Sequence, residues 1–485
     1  MEPLTWTGAL GAYLNPVFTL AVLGLILTVA SYLLLSAVEN TKAVFTTGPQ
    51  NRQGPAPHSE ALADFIFPLS AITALLGMVY LLAGIVTPYG TAGIIGELGV
   101  RFLPVWIALA VTFFLSLTYK RKLGLYGKLF DSPIGMVGFA IVMFWVFTAI
   151  FVSMDMVITH DPLGQVSGMK NKLPGTPLRG AAEGDYTHYL LGGDNLARDV
   201  FSRMVKGSQV VLVIAPAATL FAFMVGITLG LPAGYFGGKL DTVISFMANL
   251  VLAFPVILLF FLLVTPEIRA AGIQIPGTGY IWTVPTILAS ILFLFPLVFL
   301  VVLFDSRYFT QPAKRNLYVG LTVLIGGYIY LGLAWDADPF DLISIDGGVL
   351  IVFVSVVFVN SPTVFRIVRG LVLDIKTRDY VAAGQTRGEG PWYIMLWEIL
   401  PNARGPLIVD FCLRIGYTTI LLGTLGFFGL GLSSESPDWG TTINAGRRLL
   451  SIYPHPAIVP AIALMSLVLG LNLLADGLRE ESLKD

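Results

Sequence analysis

The sequence predicts an all-α integral membrane protein, and three observations carry that prediction. Of 485 residues, 55% are hydrophobic and only 12% charged, about half the charged share of a soluble domain. Mean hydropathy is +0.80. Stretches free of Asp, Glu, Lys and Arg recur along the chain at the length, about 20 residues, that a helix needs to cross a bilayer. A charge at a helix centre costs roughly 2.5–3.5 kcal/mol on insertion scales, so runs of this number and length do not accumulate by chance.

The charge-free windows are 3–38, 65–96, 102–119, 132–154, 207–238, 242–266, 270–304, 316–335, 347–365, 415–434 and 449–475, which predicts eleven spanning helices. The loops near 39–64, 120–131, 239, 305–315, 366–404 and 476–485 hold eighteen of the 29 Lys and Arg, and the opposite loops hold ten. Six of those ten fall in the long 157–208 segment, where the positive-inside rule is weak. The expected orientation is N-terminus outside and C-terminus inside. Lys120-Arg121-Lys122 then faces in, and the acidic run beginning at Asp336 faces out.

Four regions follow in order. Residues 1–119 supply three helices around a polar connector at 39–60, whose Pro and Gly mark a linker. Residues 120–265 carry three more and the long outer loop. Residues 266–346 form an insertion with two helices, and 347–485 complete the chain. At the end of the outer loop, Leu196, Val200, Met204 and Val205 sit near helical spacing while Arg198, Arg203 and Lys206 lie elsewhere. That pattern reads as a short interfacial helix, or else as a solvated loop helix. The first apolar run lacks a basic leader and an A-x-A-like exit, so no cleavable signal peptide is expected.

Several chemistries are excluded. No phosphate-binding loop occurs, since "YFGGKLD" lacks the spaced first Gly and a hydroxyl after Lys239. There is neither an H-E-x-x-H zinc motif nor a G-x-S-x-G elbow. A calcium loop in the acidic run would need an oxygen ligand and a Gly where Phe340 and Asp341 stand, so no metal is expected. Net charge is −1, which argues against nucleic acid. Cys412 is the only cysteine and has no disulfide partner. One intramembrane ionisable pair qualifies, Asp410 and Arg414, spaced to share a helix face. It reads as a structural pair or as a lining of the pathway.

The segment Arg378–Val409 is unlike its surroundings. It lies in the inner loop 366–404, the first half of which, "TRDYVAAGQTRG", suits a short helix ended by Gly388, with Gly390 and Pro391 barring continuation. Ala382, Ala383 and Gly384 are small, which lets a grooved partner come close. Arg378, Asp379, Arg387 and Glu389 give polar edges for registering it. The reading is a docking helix that converts a partner's motion into movement of the spans; the alternative is an amphipathic connector lying on the membrane.

On these residues the chain resembles the permease subunit of binding-protein-dependent ABC importers, specifically the C-type subunit of dipeptide and oligopeptide systems. That family carries an EAA motif: Glu-Ala-Ala, three residues, Gly, nine residues, then Ile-x-Leu-Pro. Its spacing is kept through Ala382, Ala383, Gly384, Gly388, Leu400 and Pro401, followed by Asn402. Ala382 replaces the Glu, Gly384 replaces the second Ala, and Glu398 stands at the Ile position. The stretches "LLGGDNLARDVFSRMVKGSQVVLVI", "GLPAGYFGGKLDTVISFMANLVLAFPVILL", "VFRIVRGLVLDIKTRDYVAAG", "GFFGLGLSSESPDWGTTINAGR" and "NLLADGLRE" continue the likeness in order. Coverage is roughly 133–265 and 347–480, leaving the three N-terminal spans and the two inserted ones outside the pattern.

The resemblance implies a type I importer permease with six core helices in a prokaryotic cytoplasmic membrane, embedded in lipid. It implies a second permease subunit, two cytoplasmic ATPase subunits and an external substrate-binding protein. ATP and magnesium would belong to the ATPases, so no cofactor and no catalytic residue is expected in this chain. Asp379, Tyr380, Ala382, Ala383, Gly384, Gly388, Leu400 and Pro401 become the ATPase-coupling residues. The implied cargo is peptides, with nickel complexes or other small solutes as the alternative. A secondary transporter and a non-transporting membrane scaffold remain rival readings, and the five additional helices are expected at the periphery.

Overall fold

A computed structural model describes residues 2–47, 57–122, 124–178, 186–265, 272–274, 281–335, 338, 340, 347–430, 433 and 435–482. Residues 48–56 of the polar connector and most of the acidic run from Asp336 lie outside the described residues, whereas 39–47 continue the first helix and 57–60 begin the second. Fifteen helices organise the rest. They are α1 Gly11–Thr47, α2 Pro57–Val86, α3 Gly93–Arg101, α4 Leu103–Tyr119, α5 Pro133–Ser153, α6 Val200–Phe236, α7 Gly238–Ala253 and α8 Val256–Val264. There follow α9 Val284–Arg307, α10 Pro312–Trp335, α11 Gly347–Ile375, α12 Asp379–Thr386, α13 Arg404–Phe427, α14 Trp439–Arg447 and α15 His455–Ser482. Short helical turns link some of them.

Among the described residues ten helices are long and apolar enough to cross a membrane, and α7 with α8, bent by 88°, forms either one broken span, the eleventh, or a re-entrant loop. The eleven expected from charge-free windows is the upper end of that count, reached when the bent pair is one span. The bend has a local cause. Pro255 pushes Phe254 into extended backbone (ψ 135) and cannot itself donate to the preceding turn.

The chain divides into two compact units, Met1–Trp106 with Met156–Phe201, and Ile107–Asp155 with Ser202–Asp485. In the first, α1 and α2 form an antiparallel pair, joined by Tyr80 Oη donating to Asn15 Oδ1 at 2.8 Å. Against α2 lies α3, at an approach only glycine permits: a Cβ on Gly84 would stand 2.1 Å from the Gly96 carbonyl. The outer loop contributes a two-residue antiparallel ladder, Thr176–Pro177 with His188–Tyr189.

In the second unit the central contact joins α6 and α11. Gly226, Gly230 and Gly234 recur every four residues on α6 and face Val364, Val368 and Val372, which recur every four on α11. A Cβ on any of the three glycines would come within 2.5–2.8 Å of a valine side chain, so the two helices touch backbone to side chain. In lipid this small-residue packing replaces the hydrophobic drive that a soluble core uses. Asn360 on α11 donates to Thr418 on α13 at 3.3 Å, and Thr418 meets Thr219 on α6 at 3.2 Å, a buried polar link among the three helices. Helix α5 packs along α15, where Gly135 lies against Gly477 and Gly138 against Gly470 and Leu474.

The expected interfacial helix around 196–206 is not there. From Val200 the chain runs as one 37-residue helix to Phe236, about 55 Å at the α-helical rise and longer than the hydrocarbon core. Arg203 is fully buried and donates to the Ser436 carbonyl at 2.9 Å and to Thr442 Oγ1 at 3.2 Å. Arg198 is buried against Asp194, Nε to Oδ2 2.7 Å. Both cations are internal anchors: Arg198 is held by Asp194, and Arg203 is covered by the segment after α13. Trp439 in that segment is also fully buried, its Nε1 donating to the Met204 carbonyl at 2.8 Å.

Contacts test the sidedness pattern independently of charge. Leu4 N donates to the Gly175 carbonyl (2.9 Å), Ile94 N to the Thr5 carbonyl (3.0 Å) and Tyr186 Oη to Glu97 Oε2 (2.9 Å). These are three segments that the charge rule assigns to one face. Likewise Ser132 Oγ meets Glu480 Oε2 (3.3 Å), Arg369 pairs with Asp241 and Trp397 Nε1 donates to Ser306 Oγ (3.2 Å), all between segments assigned to the other. An error of one span in the count would separate such partners by a membrane.

Gly230→Val should lower stability in detergent by about 1–3 kcal/mol through overpacking against Val368, measured as a fall in the thermal unfolding midpoint. Gly320→Ala, at a helix position where an added Cβ meets nothing within 4 Å, should leave that midpoint unchanged or higher.

Candidate coupling site

Helix α12 is short because both ends are written into its sequence. Arg378 enters with extended backbone (ψ 148), and Asp379 occupies the first turn, where the helix dipole favours an anion. At the other end Gly388 has φ +79; its N–H donates to the Gln385 carbonyl (3.0 Å) and Glu389 N–H to the Gly384 carbonyl (3.2 Å). This pair of bonds is the Schellman arrangement, which requires a left-handed residue at that place. Pro391 then opens the next helical stretch.

The helix has two faces. Val381 is completely buried and Gly384 is buried beside it, whereas Asp379, Tyr380, Ala382, Ala383, Gln385 and Thr386 are exposed. The buried face sits in a socket of Ile375 from α11, Ile394, Met395, Ile399 and Leu407 from α13, in one cluster with Leu231 of α6. Burying an aliphatic side chain of this size contributes about 1.5–3 kcal/mol. Polar contacts fix the register: Gln385 Nε2 donates to Tyr235 Oη (3.1 Å), and Lys376 Nζ to the Gly234 carbonyl (2.8 Å). Arg369 holds Asp241 at the α6–α7 turn through both carboxylate oxygens, which lowers the Asp241 carboxyl's neighbourhood cost of burial by supplying its counter-charge.

Two departures from the family motif meet in space. Arg387 Nη2 bonds Glu398 Oε1 at 2.6 Å, and a Cβ on Gly384 would stand 3.7 Å from Glu398 Cγ, Arg387 Nη2 and Ile394 Cγ1. Glu398, at the Ile position, thus reaches across the small Gly384 to the end of α12. With Arg387 about half exposed, the pair contributes on the order of 0–1 kcal/mol. Glu398 belongs to a π-helical stretch, Ile394–Ile399, followed by the turn Leu400–Asn402. Pro401 there lacks a donor, and Asn402 Nδ2 takes the Glu398 carbonyl at 2.6 Å. Leu400 is half-buried against the socket and Pro401 is exposed.

The insertion reaches this site. Trp397, in the π stretch, donates from Nε1 to Ser306 Oγ (3.2 Å), and the Arg307 guanidinium lies 4.5 Å from its ring centre. Phe299, Val302 and Leu303 of α9 pack against the socket, and Phe293 stacks edge-on to Phe221 and Phe353. Helix α9 is therefore a wall of the site and not an ornament at the edge. Asp410 and Arg414 lie on α13, Nε to Oδ2 2.7 Å, Arg414 buried and Asp410 half-buried. Sequence reasoning did not find Trp397, Arg307, Glu398 as a partner of Arg387, or the α6 glycines; of these only the GxxxGxxxG spacing of Gly226, Gly230 and Gly234 was a readable signal.

A bundle of this span count, presenting one short helix on a socket fed by its long helices, defines a multi-pass helical membrane protein. Residues 226–480, more than half the chain, match the family described as the binding-protein-dependent transport system inner membrane component. The chain belongs to that family. It is 28% identical over 298 residues to the glutathione transport system permease protein GsiD of Pectobacterium atrosepticum, covering 61% of this chain and 73% of that one. It is 27% identical to the dipeptide transport system permease protein DppC of Haemophilus influenzae over 61% of this chain and 75% of the relative. With the di/tripeptide permease DppC of Pseudomonas aeruginosa it shares 25% identity over 75% of this chain and 93% of the relative.

Gly384→Ala should fit, since its Cβ meets only ordinary contacts, and should raise stability by about 0.5–1 kcal/mol through helix propensity. Gly388→Ala should instead cost about 1–2 kcal/mol for the left-handed backbone, although space is open around it. Paired thermal melts of the two variants check the opposite signs.

Proposed function

We propose that this chain is one of two permease subunits of an ATP-driven ABC importer, and that it moves peptides of dipeptide to oligopeptide size across the cytoplasmic membrane by alternating access. The observation that carries the reading is the two-faced helix α12: Val381 and Gly384 seated in the socket, Ala382 and Ala383 bare outside it. Small exposed side chains between polar edges suit insertion into a groove on an ATPase subunit. The peptide cargo is supported by the names of the relatives, which transport dipeptides, di/tripeptides and glutathione.

In this reading Asp379, Tyr380, Ala382, Ala383, Gly384, Gly388, Leu400 and Pro401 make up the coupling segment. ATP and magnesium are bound by two cytoplasmic ATPase subunits, and this chain contributes no catalytic group. When the ATPases close, they carry α12 with them. Because Val381 is buried among residues of α11, the π stretch and α13, displacing it must displace those elements together; a packed core transmits such a shift instead of absorbing it. The spans then open outward, where the substrate-binding protein delivers cargo, and hydrolysis resets them. The coupling face lies on the cytoplasmic side, as the basic loops require. The remaining partner is the second permease subunit. Asp410 and Arg414 serve as a structural pair that neutralises two charges within α13.

Ala383→Trp fills the exposed face without touching the socket. We expect a normally folded and inserted protein that no longer copurifies a Walker-motif ATPase from gentle detergent and supports less than a tenth of wild-type peptide uptake. Wild-type uptake by that variant would refute the docking role.

A further inference from the structure

The N-terminal extension was expected to sit at the bilayer periphery, yet its polar ends converge on the outer loop. Residues 1–106 lie outside the matched span 226–480, but they form one compact unit with Met156–Phe201. The fastening centres on Glu97 of α3, a carboxylate only 6% exposed. Its Oε1 accepts from Gly90 N–H at 2.8 Å and its Oε2 from Tyr186 Oη at 2.9 Å. The Arg101 guanidinium, one turn along α3, covers the Tyr186 ring at 4.0 Å, a cation over a ring face. Burial first, and the Glu97 charge second, push the Tyr186 hydroxyl far above its ordinary range, so it remains a donor at any physiological pH.

Further ties surround that centre. Tyr89 Oη and His188 Nδ1 are 2.9 Å apart, and His188 Nε2 lies 3.1 Å from the Glu2 carbonyl. His160 Nε2 meets the Tyr186 carbonyl at 2.9 Å. Leu4 N donates to the Gly175 carbonyl, where a Cβ would stand 2.2 Å from the Leu4 oxygen, so the two backbones touch at a glycine with φ +77. Without the loop, Glu97 Oε2 would lose the Tyr186 hydroxyl, and a buried carboxylate oxygen without a donor is costly, so the pairing favours the loop in place.

We infer that the described residues of 1–106 act as a clamp that holds segments 156–178 and 186–201 of the outer loop in one conformation, with Glu97 and Tyr186 as positioning residues, so that these segments are preorganised for docking of the external substrate-binding protein. Docking as the consequence rests on the importer reading above; the clamp itself does not. A loop ordered in advance loses less entropy on binding and so binds more tightly at equal contact. The exposed part of the loop, including Leu163 and Leu173, is the surface offered.

The test uses the full transporter in nanodiscs with wild-type, Tyr186→Phe and Glu97→Ala chains. Two quantities are measured: backbone hydrogen exchange across 156–178 and 186–201, and the binding-protein concentration giving half-maximal ATPase stimulation. Exchange should quicken three- to tenfold in Tyr186→Phe and more in Glu97→Ala, while the half-maximal concentration rises three- to tenfold and basal and maximal ATPase rates stay level. Unchanged exchange overturns the clamp. Faster exchange with an unchanged half-maximal concentration overturns its role in docking. A wild-type transporter that no binding protein stimulates defeats the importer reading, while the exchange difference still decides the clamp.

Discussion

The architecture depends on the close meeting of α6 and α11. Three glycines at four-residue intervals let the valines of α11 enter the α6 surface, and that approach holds the C-terminal ends of both helices side by side. From those ends come Tyr235, the Gly234 carbonyl and Ile375, which hold α12 in place. A bilayer supplies no hydrophobic drive between helices, so shape and small size must do this work. Bulk introduced at Gly230 would therefore be felt at the socket two turns away.

The socket joins contributions from separate parts of the chain. Helix α11 enters it, the π stretch Ile394–Ile399 lines it, α13 leaves it, and α9 of the insertion closes one side through Trp397, Ser306 and Arg307. The motif departures find an explanation here. A glycine where the family has alanine and a glutamate where it has isoleucine are neighbours, and Glu398 uses the room beside Gly384 to pair with Arg387. Neither departure opens the socket; together they exchange an apolar contact for a polar one at its rim.

At the opposite end the same logic runs through hydrogen bonds. Arg203 and Trp439 are fully buried where the start of α6 meets the segment before α14, Arg203 donating to the Ser436 carbonyl and Trp439 to the Met204 carbonyl. In the other unit, Glu97, Tyr186 and His188 bind the N-terminal segments to the outer loop. Buried polar side chains are costly unless paired, which makes these junctions specific: each admits one partner geometry.

The sequence alone determined the membrane class, the ten to eleven candidate crossings and the boundaries of α12, because charge-free length, Gly388 and Pro391 act locally and need no tertiary partner. It also carried the family motif through Ala382, Ala383, Gly388, Leu400 and Pro401. Only the tertiary structure decided which cations are buried, since Arg203 looks solvated until the segment after α13 covers it, and Arg198 until Asp194 folds against it. It likewise decided that α9 belongs to the coupling socket and that the N-terminal helices grip the outer loop. Those contacts join residues up to some hundreds of positions apart, and no periodicity within one segment encodes what will be folded against it.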